Sequence, residues 1–402
     1  MELRDRLQII SRDASEPLRR GLRSLNGEDP DLEAIRSAPD RDRDGFDVAV
    51  WAALHLGARA LAHRDHEEAR RLATTAMRDA PNDPLPRLLA ALAADPLHLT
   101  DEAYRMLADA HTLAPDEPAI DLALSRRASD AGAYDEAADA VDRYVAAVPE
   151  DARARSWQAR MRARADATER FDRRDGSGIR VLHPGIDHRR IDTLIASVRG
   201  AMDEAARLLA RDRRPELTVV VYEDIETMRL ATCAPSWSGG VFDGVLHLAS
   251  STLTRPEGER TVRHESTHAQ LALIRGSIPH WFNEGLAQHM EGPASRSTRS
   301  SWSRMVERRF WIPFASLEGQ LVVIEDPGDA RLAYHQSLAM VRYLMERRGV
   351  RAVREAADAI ERGEATDLLE QLVPGADGDA LLAYLSALGP HVPNADTPTL
   401  AR

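Results

Sequence analysis

The chain contains no lysine: all 53 of its basic side chains are arginine. Biased base composition in the source genome is the plain cause, and escape from amine-directed modification is a sharper one. There is a single cysteine, Cys233, so no disulfide framework can form within the chain. No run of about 18 apolar residues occurs, so no membrane span is expected. The opening residues Met1-Glu2-Leu3-Arg4-Asp5-Arg6 are charged and lack the apolar core of a signal peptide, which gives the expectation of a cytoplasmic protein. Positive charge is also in deficit. The 65 acidic residues leave a net charge of −12, which argues against nucleic acid as the main partner.

What is present is enough chain for two or three domains, 402 residues of which 43% are hydrophobic. One stretch organises the rest. His264-Glu265-Ser266-Thr267-His268 reads H-E-x-x-H. If residues from about 257 to 274 form a helix, the two histidines lie one turn apart on one face and can hold a zinc ion together. Glu265 then stands beside the ion, within reach of a bound water. A catalytic zinc needs three protein ligands and one open position, and it lowers the pKa of its water to about 7. Glu284, on a second predicted helix, is the candidate third ligand, and Glu265 the base. A surface helix with two unrelated histidines is the competing reading of the first motif taken alone. His280 and His289, on either side of Glu284, are rival ligands on one reading and sit at the helix end or in solvent on the other.

Trp281, Asn283, Glu284, Gly285 and Ala287 spell W-x-N-E-G-x-A. With H-E-x-x-H before it, this resembles the gluzincin metallopeptidases, whose third zinc ligand is that glutamate. The order strand, helix, strand, Gly-rich hairpin, H-E-x-x-H helix, W-x-N-E-G helix is similar to the peptidase-MA-like domains. The resemblance spans about residues 178–390. It implies a mixed sheet, two active-site helices, a C-terminal helical lobe and a zinc-dependent peptidase. It departs from the best-known aminopeptidase relatives in a shorter gap between the two motifs. Family members carry Tyr-x-x-Ser where this chain has Tyr334-His335-Gln336-Ser337, so Tyr334 becomes the candidate donor to the tetrahedral oxyanion. The resemblance also implies that a sheet edge beside the cleft pairs with extended substrate. Either arm of the hairpin, 239–242 or 245–248, can be that edge, and an ordinary hairpin within the sheet is the alternative.

The N-terminal half is repetitive. Ala69, Ala103 and Ala137 recur at 34 residues, and so do Pro81, Pro115 and Pro149. This period and the Leu56-Gly57, Ala60, Ala69, Ala73, Ala76 and Pro81 of the first unit resemble the tetratricopeptide repeat, with Ala91 and Ser125 in place of the second and third glycines. The resemblance implies an all-α solenoid offering a groove to a protein or peptide. Residues 50–151 hold 19 acidic residues and 10 arginines, so a basic partner segment is expected, against the alternative of a solvated acidic face. Residues 152–174 carry eight arginines and read as a basic closing helix, with Trp157 and Met161 packed on the last repeat.

The expected fold is therefore α+β in four parts: a helical cap at 1–49, a repeat array with its closing helix at 50–175, a zinc peptidase domain at 176–390 and a disordered tail at 391–402. Within the third part, strands are expected at 179–183 and 217–222 and helices at about 191–211, 225–231 and 333–344. Tyr343 reads as core, His335 as a candidate for lining the cleft, and Cys233 as a buried or loop thiol. The rival to a peptidase is a scaffold whose zinc domain is not catalytic, binding a partner through the repeats; a zinc enzyme cleaving a non-peptide amide is a third reading.

Overall fold

The computed structural model describes residues 31, 34–35, 48–63, 65–94, 99–212, 215–234, 239–318 and 327–388. The expected cap falls almost wholly outside these residues, and the expected tail entirely so. Two compact units divide the chain between Glu169 and Arg170.

The first unit is an array of helices: α1 (Val48–Ala62), α2 (His66–Asp79), α3 (Pro84–Ala94), α4 (Thr100–Leu113), α5 (Pro118–Asp130), α6 (Tyr134–Ala147) and α7 (Ala152–Thr168). Each packs on the next, and α1 also touches α3. The sequence explains the spacing. Ala69, Ala73 and Ala76 lie on one face of α2 and are fully buried, so neighbouring backbones come close. A Cβ on Gly57 would stand 2.4 Å from the Leu89 side chain, so α1 and α3 meet at a residue without one. Ser125, one of the replaced glycines, uses its hydroxyl instead. It donates to the Ala137 carbonyl at 2.7 Å and accepts from the Trp157 indole at 2.8 Å, tying α5 to α6 and α7. Asp65 and Asp151 cap α2 and α7 by accepting from backbone N–H groups of the first turn.

The second unit begins with a strand that its sequence conceals. The closing helix ends at Thr168, and residues 172–174, read above as its continuation, belong to β1 (Asp172–Gly176). β1 pairs antiparallel with β2 (Ile179–His183) across Ser177 and Gly178, both at positive φ, the geometry of a tight two-residue hairpin. The sheet has the order β1-β2-β3-β5-β4, with β3 (Leu217–Tyr222) parallel to both β2 and β5 (Leu246–Ala249). β4 (Gly240–Phe242) runs antiparallel to β5 and is outermost. β3 sits at the centre with every residue buried, as its run of valines requires. Helix α8 (His188–Leu209) connects β2 to β3, and α9 (Ile225–Thr232) lies between β3 and β4. A buried chain of polar groups ties the hairpin down: His247, fully enclosed on β5, bonds Tyr222 at 3.0 Å and Asp243 at 3.1 Å.

Beyond the sheet come α10 (Gly258–Leu271), α11 (His280–Met290), α12 (Arg296–Arg308), α13 (Pro327–Arg348), α14 (Arg351–Glu361), α15 (Leu368–Leu372) and α16 (Gly378–Ala387). They share a second core that includes Trp281, Phe282, Leu286 and Tyr343. Helix α10 bridges the two cores: Val262 and Ala269 face the sheet, and Leu271 faces the helices. Among the described residues no helix is long and apolar enough to cross a membrane.

Candidate metal centre

Helix α10 carries His264, Glu265 and His268; α11 carries Glu284. Two glycines fix how these helices sit. A Cβ on Gly258 would fall 1.7 Å from the Thr252 carbonyl oxygen, so α10 starts hard against the preceding turn. A Cβ on Gly285 would fall 2.3 Å from the Ser337 carbonyl oxygen, so α11 and α13 touch backbone to backbone. Glu284, next in sequence, is thereby aimed from a helix with no freedom to withdraw.

The three candidate ligands converge. One ligating atom each from His264, His268 and Glu284 lies within 4.8 Å of the others. The two Nε2 atoms are 3.1 Å apart, and Glu284 places Oε2 at 3.5 Å from His264 and Oε1 at 3.5 Å from His268. The far side of each ring is engaged by an oxygen. His264 Nδ1 meets Glu291 Oε1 at 2.7 Å, and His268 Nδ1 meets Asn283 Oδ1 at 3.1 Å. These acceptors put a hydrogen on each Nδ1 and leave the two Nε2 atoms facing each other and Glu284. Glu291 is steadied in turn by Arg260, at 3.0 Å.

Two imidazole nitrogens this close, beside a buried carboxylate, need positive charge among them, either a proton on His264 or a metal ion. Glu284 Oε2 is buried with no hydrogen-bond partner, as a metal-binding oxygen would be. The charges respond accordingly. Burial pulls the His264 imidazole down, yet Glu284 and Glu291 outweigh it and hold it well above its ordinary value. Burial lifts the Glu284 carboxyl, yet His268 and His264 outweigh that and hold it at about 2. Two imidazole nitrogens and a carboxylate are a donor set that fits a divalent transition ion and leaves a position open.

Glu265 is buried beside this cluster, and burial raises its carboxyl. Strand β4 lies directly over it: a Cβ on Gly240 would stand 3.0 Å from Glu265 Cγ. Of the two hairpin arms, 239–242 therefore supplies the outer strand at the cluster. Tyr334, on α13, packs edge-on to His280 with ring centroids 6.0 Å apart. Burial and the charges of Glu284 and Glu265 push its phenol well up, so it stays a hydrogen donor.

The other candidates separate. His280 stays beside the cluster, its Nε2 3.8 Å from Glu284 and buried without a partner. His289 is not one of the converging groups and lines a separate cavity of about 620 Å³ with Glu204, Arg207 and Met345. His335 turns from the cleft to α12, bonding Ser301 at 2.8 Å while its carbonyl accepts from Trp302. Cys233 is an exposed thiol at the end of α9, and Tyr343 is core. Sequence reasoning missed Glu291, seven residues past Glu284 and thus two turns along the same helix face. It also missed Gly240.

Residues 199–382 match the family model of the Peptidase MA superfamily. The matched stretch contains Glu265, the three converging residues, Glu291 and Tyr334. No curated protein matches the chain.

Proposed function

We propose that this chain is a zinc-dependent peptidase that cleaves a polypeptide recruited by its helix array. The observation that carries the reading is the convergence of His264, His268 and Glu284 beside a buried Glu265, under an outermost strand. His264, His268 and Glu284 would hold the ion. Zinc bound there supplies Lewis acidity toward a carbonyl oxygen and makes water acidic near neutral pH.

The chain's own groups do the rest. An extended substrate adds as a further strand on β4, which brings a peptide group over Glu265. Glu265 takes a proton from the attacking water on a carboxylate oxygen and passes it to the leaving amine nitrogen. Its enclosure keeps the proton from escaping to solvent. The Tyr334 hydroxyl donates to the carbonyl oxygen as charge gathers on it. The array, read as tetratricopeptide-like from its 34-residue period and alanine-lined helix contacts, supplies a docking face.

The test is Glu265→Gln. Peptide-library turnover should fall by about 10²–10⁴-fold while zinc content, measured by elemental analysis, stays at the wild-type level. Turnover that survives the substitution removes Glu265 from its role; a chain that binds zinc and cleaves nothing even unmutated favours the scaffold.

A further inference from the structure

The array's net negative charge is the ground for expecting a basic partner, but the charge is not spread evenly over its helices. Helices α2, α4 and α6 carry ten acidic residues; α1 and α3 carry none. On α5 the two acids are already spoken for: Asp121 is buried against Arg143 at 2.9 Å, and Asp130 pairs with Arg127 at 2.9 Å. Helix α7 adds only Asp166, beside Arg162, so the odd-numbered helices are nearly free of available negative charge.

The 34-residue period places Ala58, Leu92, Arg126 and Arg160 at equivalent positions on these four helices, and Leu85 in register with Arg153. Leu85 and Leu92, seven residues apart on one face of α3, are 39% and 49% exposed. They are two of the four large apolar side chains so exposed among the described residues. Arg126 and Arg153 are exposed, the second with the Asp151 carboxylate beside it. Arg160 lies over the Trp157 ring at 5.4 Å, with its Nε buried and unpartnered. The row runs from leucine to guanidinium along the direction in which the helices stack.

We infer that this row is a docking face for an acidic polypeptide segment bearing leucine-like side chains. The leucines desolvate against α3, and carboxylates meet Arg126, Arg153 and Arg160, where guanidinium binds a carboxylate in bidentate fashion. A basic segment finds no available carboxylate on α1 or α3 and meets like charge on α5 and α7. The inference deepens the recruiting role proposed for the array.

Its test reads binding alone, so hydrolysis and docking can fail separately. The full chain carrying Glu265→Gln is titrated into a short fluorescein-labelled peptide of Glu and Leu, and into its counterpart with Lys for Glu, by fluorescence anisotropy. The Glu–Leu probe should bind preferentially and lose affinity with added salt. Arg126→Glu with Arg160→Glu should weaken it on the order of tenfold, and the milder pair Arg126→Gln with Arg160→Gln should do so less. Leu92→Ser should weaken it even at high salt, while Arg105→Glu on α4 should leave it unchanged. Circular dichroism confirms that each variant keeps its helices. Preference for the lysine probe, indifference to both arginine pairs, or no binding of the Glu–Leu probe overturns the inference.

Discussion

At the residue scale, each imidazole of the cluster is oriented from behind. Glu291 fixes the hydrogen of His264 and is itself held by Arg260. Replacing it with Gln keeps the shape but gives up the charge that makes His264 a stronger donor. Zinc affinity should fall by about 10–100-fold in a chelator competition, with the fold unchanged in circular dichroism. His335 gives a second residue-scale expectation. Burial holds its imidazole down at about 4, so it is neutral in the folded chain near neutrality. An unfolded histidine titrates near 6.5, so below that pH the unfolded state takes up the proton first. This contribution to stability is complete above about pH 6.5 and lost on acidification toward 4, on the order of 3 kcal/mol. In His335→Gln that part of the decline in urea midpoint between pH 7 and 4 should be missing; an identical decline refutes it.

At the element scale, the pattern was legible where burial dictates composition. β3 reads directly from Leu217 to Tyr222 because a strand covered on both faces is a nearly continuous run of apolar and β-branched residues. β1 does not read at all: Asp172-Arg173-Arg174-Asp175 is polar on both faces, and only its pairing with β2 makes it a strand. The converging candidates were legible because one helical turn separates His264 from His268 and a second motif supplies Glu284. Glu291 was hidden because it acts through another residue, and Gly240 because its contact with Glu265 is tertiary. The glycine of W-x-N-E-G gains a reason that the motif does not state. Gly285→Ala would force α11 off the Ser337 backbone, costing about 1–3 kcal/mol as overpacking does. A thermal melt should register that loss, and zinc affinity should drop with it as Glu284 is displaced.

At the scale of the whole molecule, the two units have separate cores, and the candidate centre lies wholly within the second. A fragment starting at Arg170 should therefore fold cooperatively and cleave short peptides at a rate close to that of the full chain. It should lose any advantage the full chain shows for acidic, leucine-bearing substrates. Equal selectivity in the two would leave the array without a role in recruitment. The centre also has an unusual economy of origin. The three converging residues, Glu265 and both groups behind the imidazoles come from the single run of residues 264–291, broken only by the connector 272–279. That connector is itself anchored: Ile274 belongs to the helical core, Ile278 packs against it, and a Cβ on Gly276 would stand 2.5 Å from the Ile360 carbonyl oxygen. An insertion or deletion there would shift the reach of the carboxylate toward the paired rings and disturb the helical core with it, so metal affinity and stability should change together.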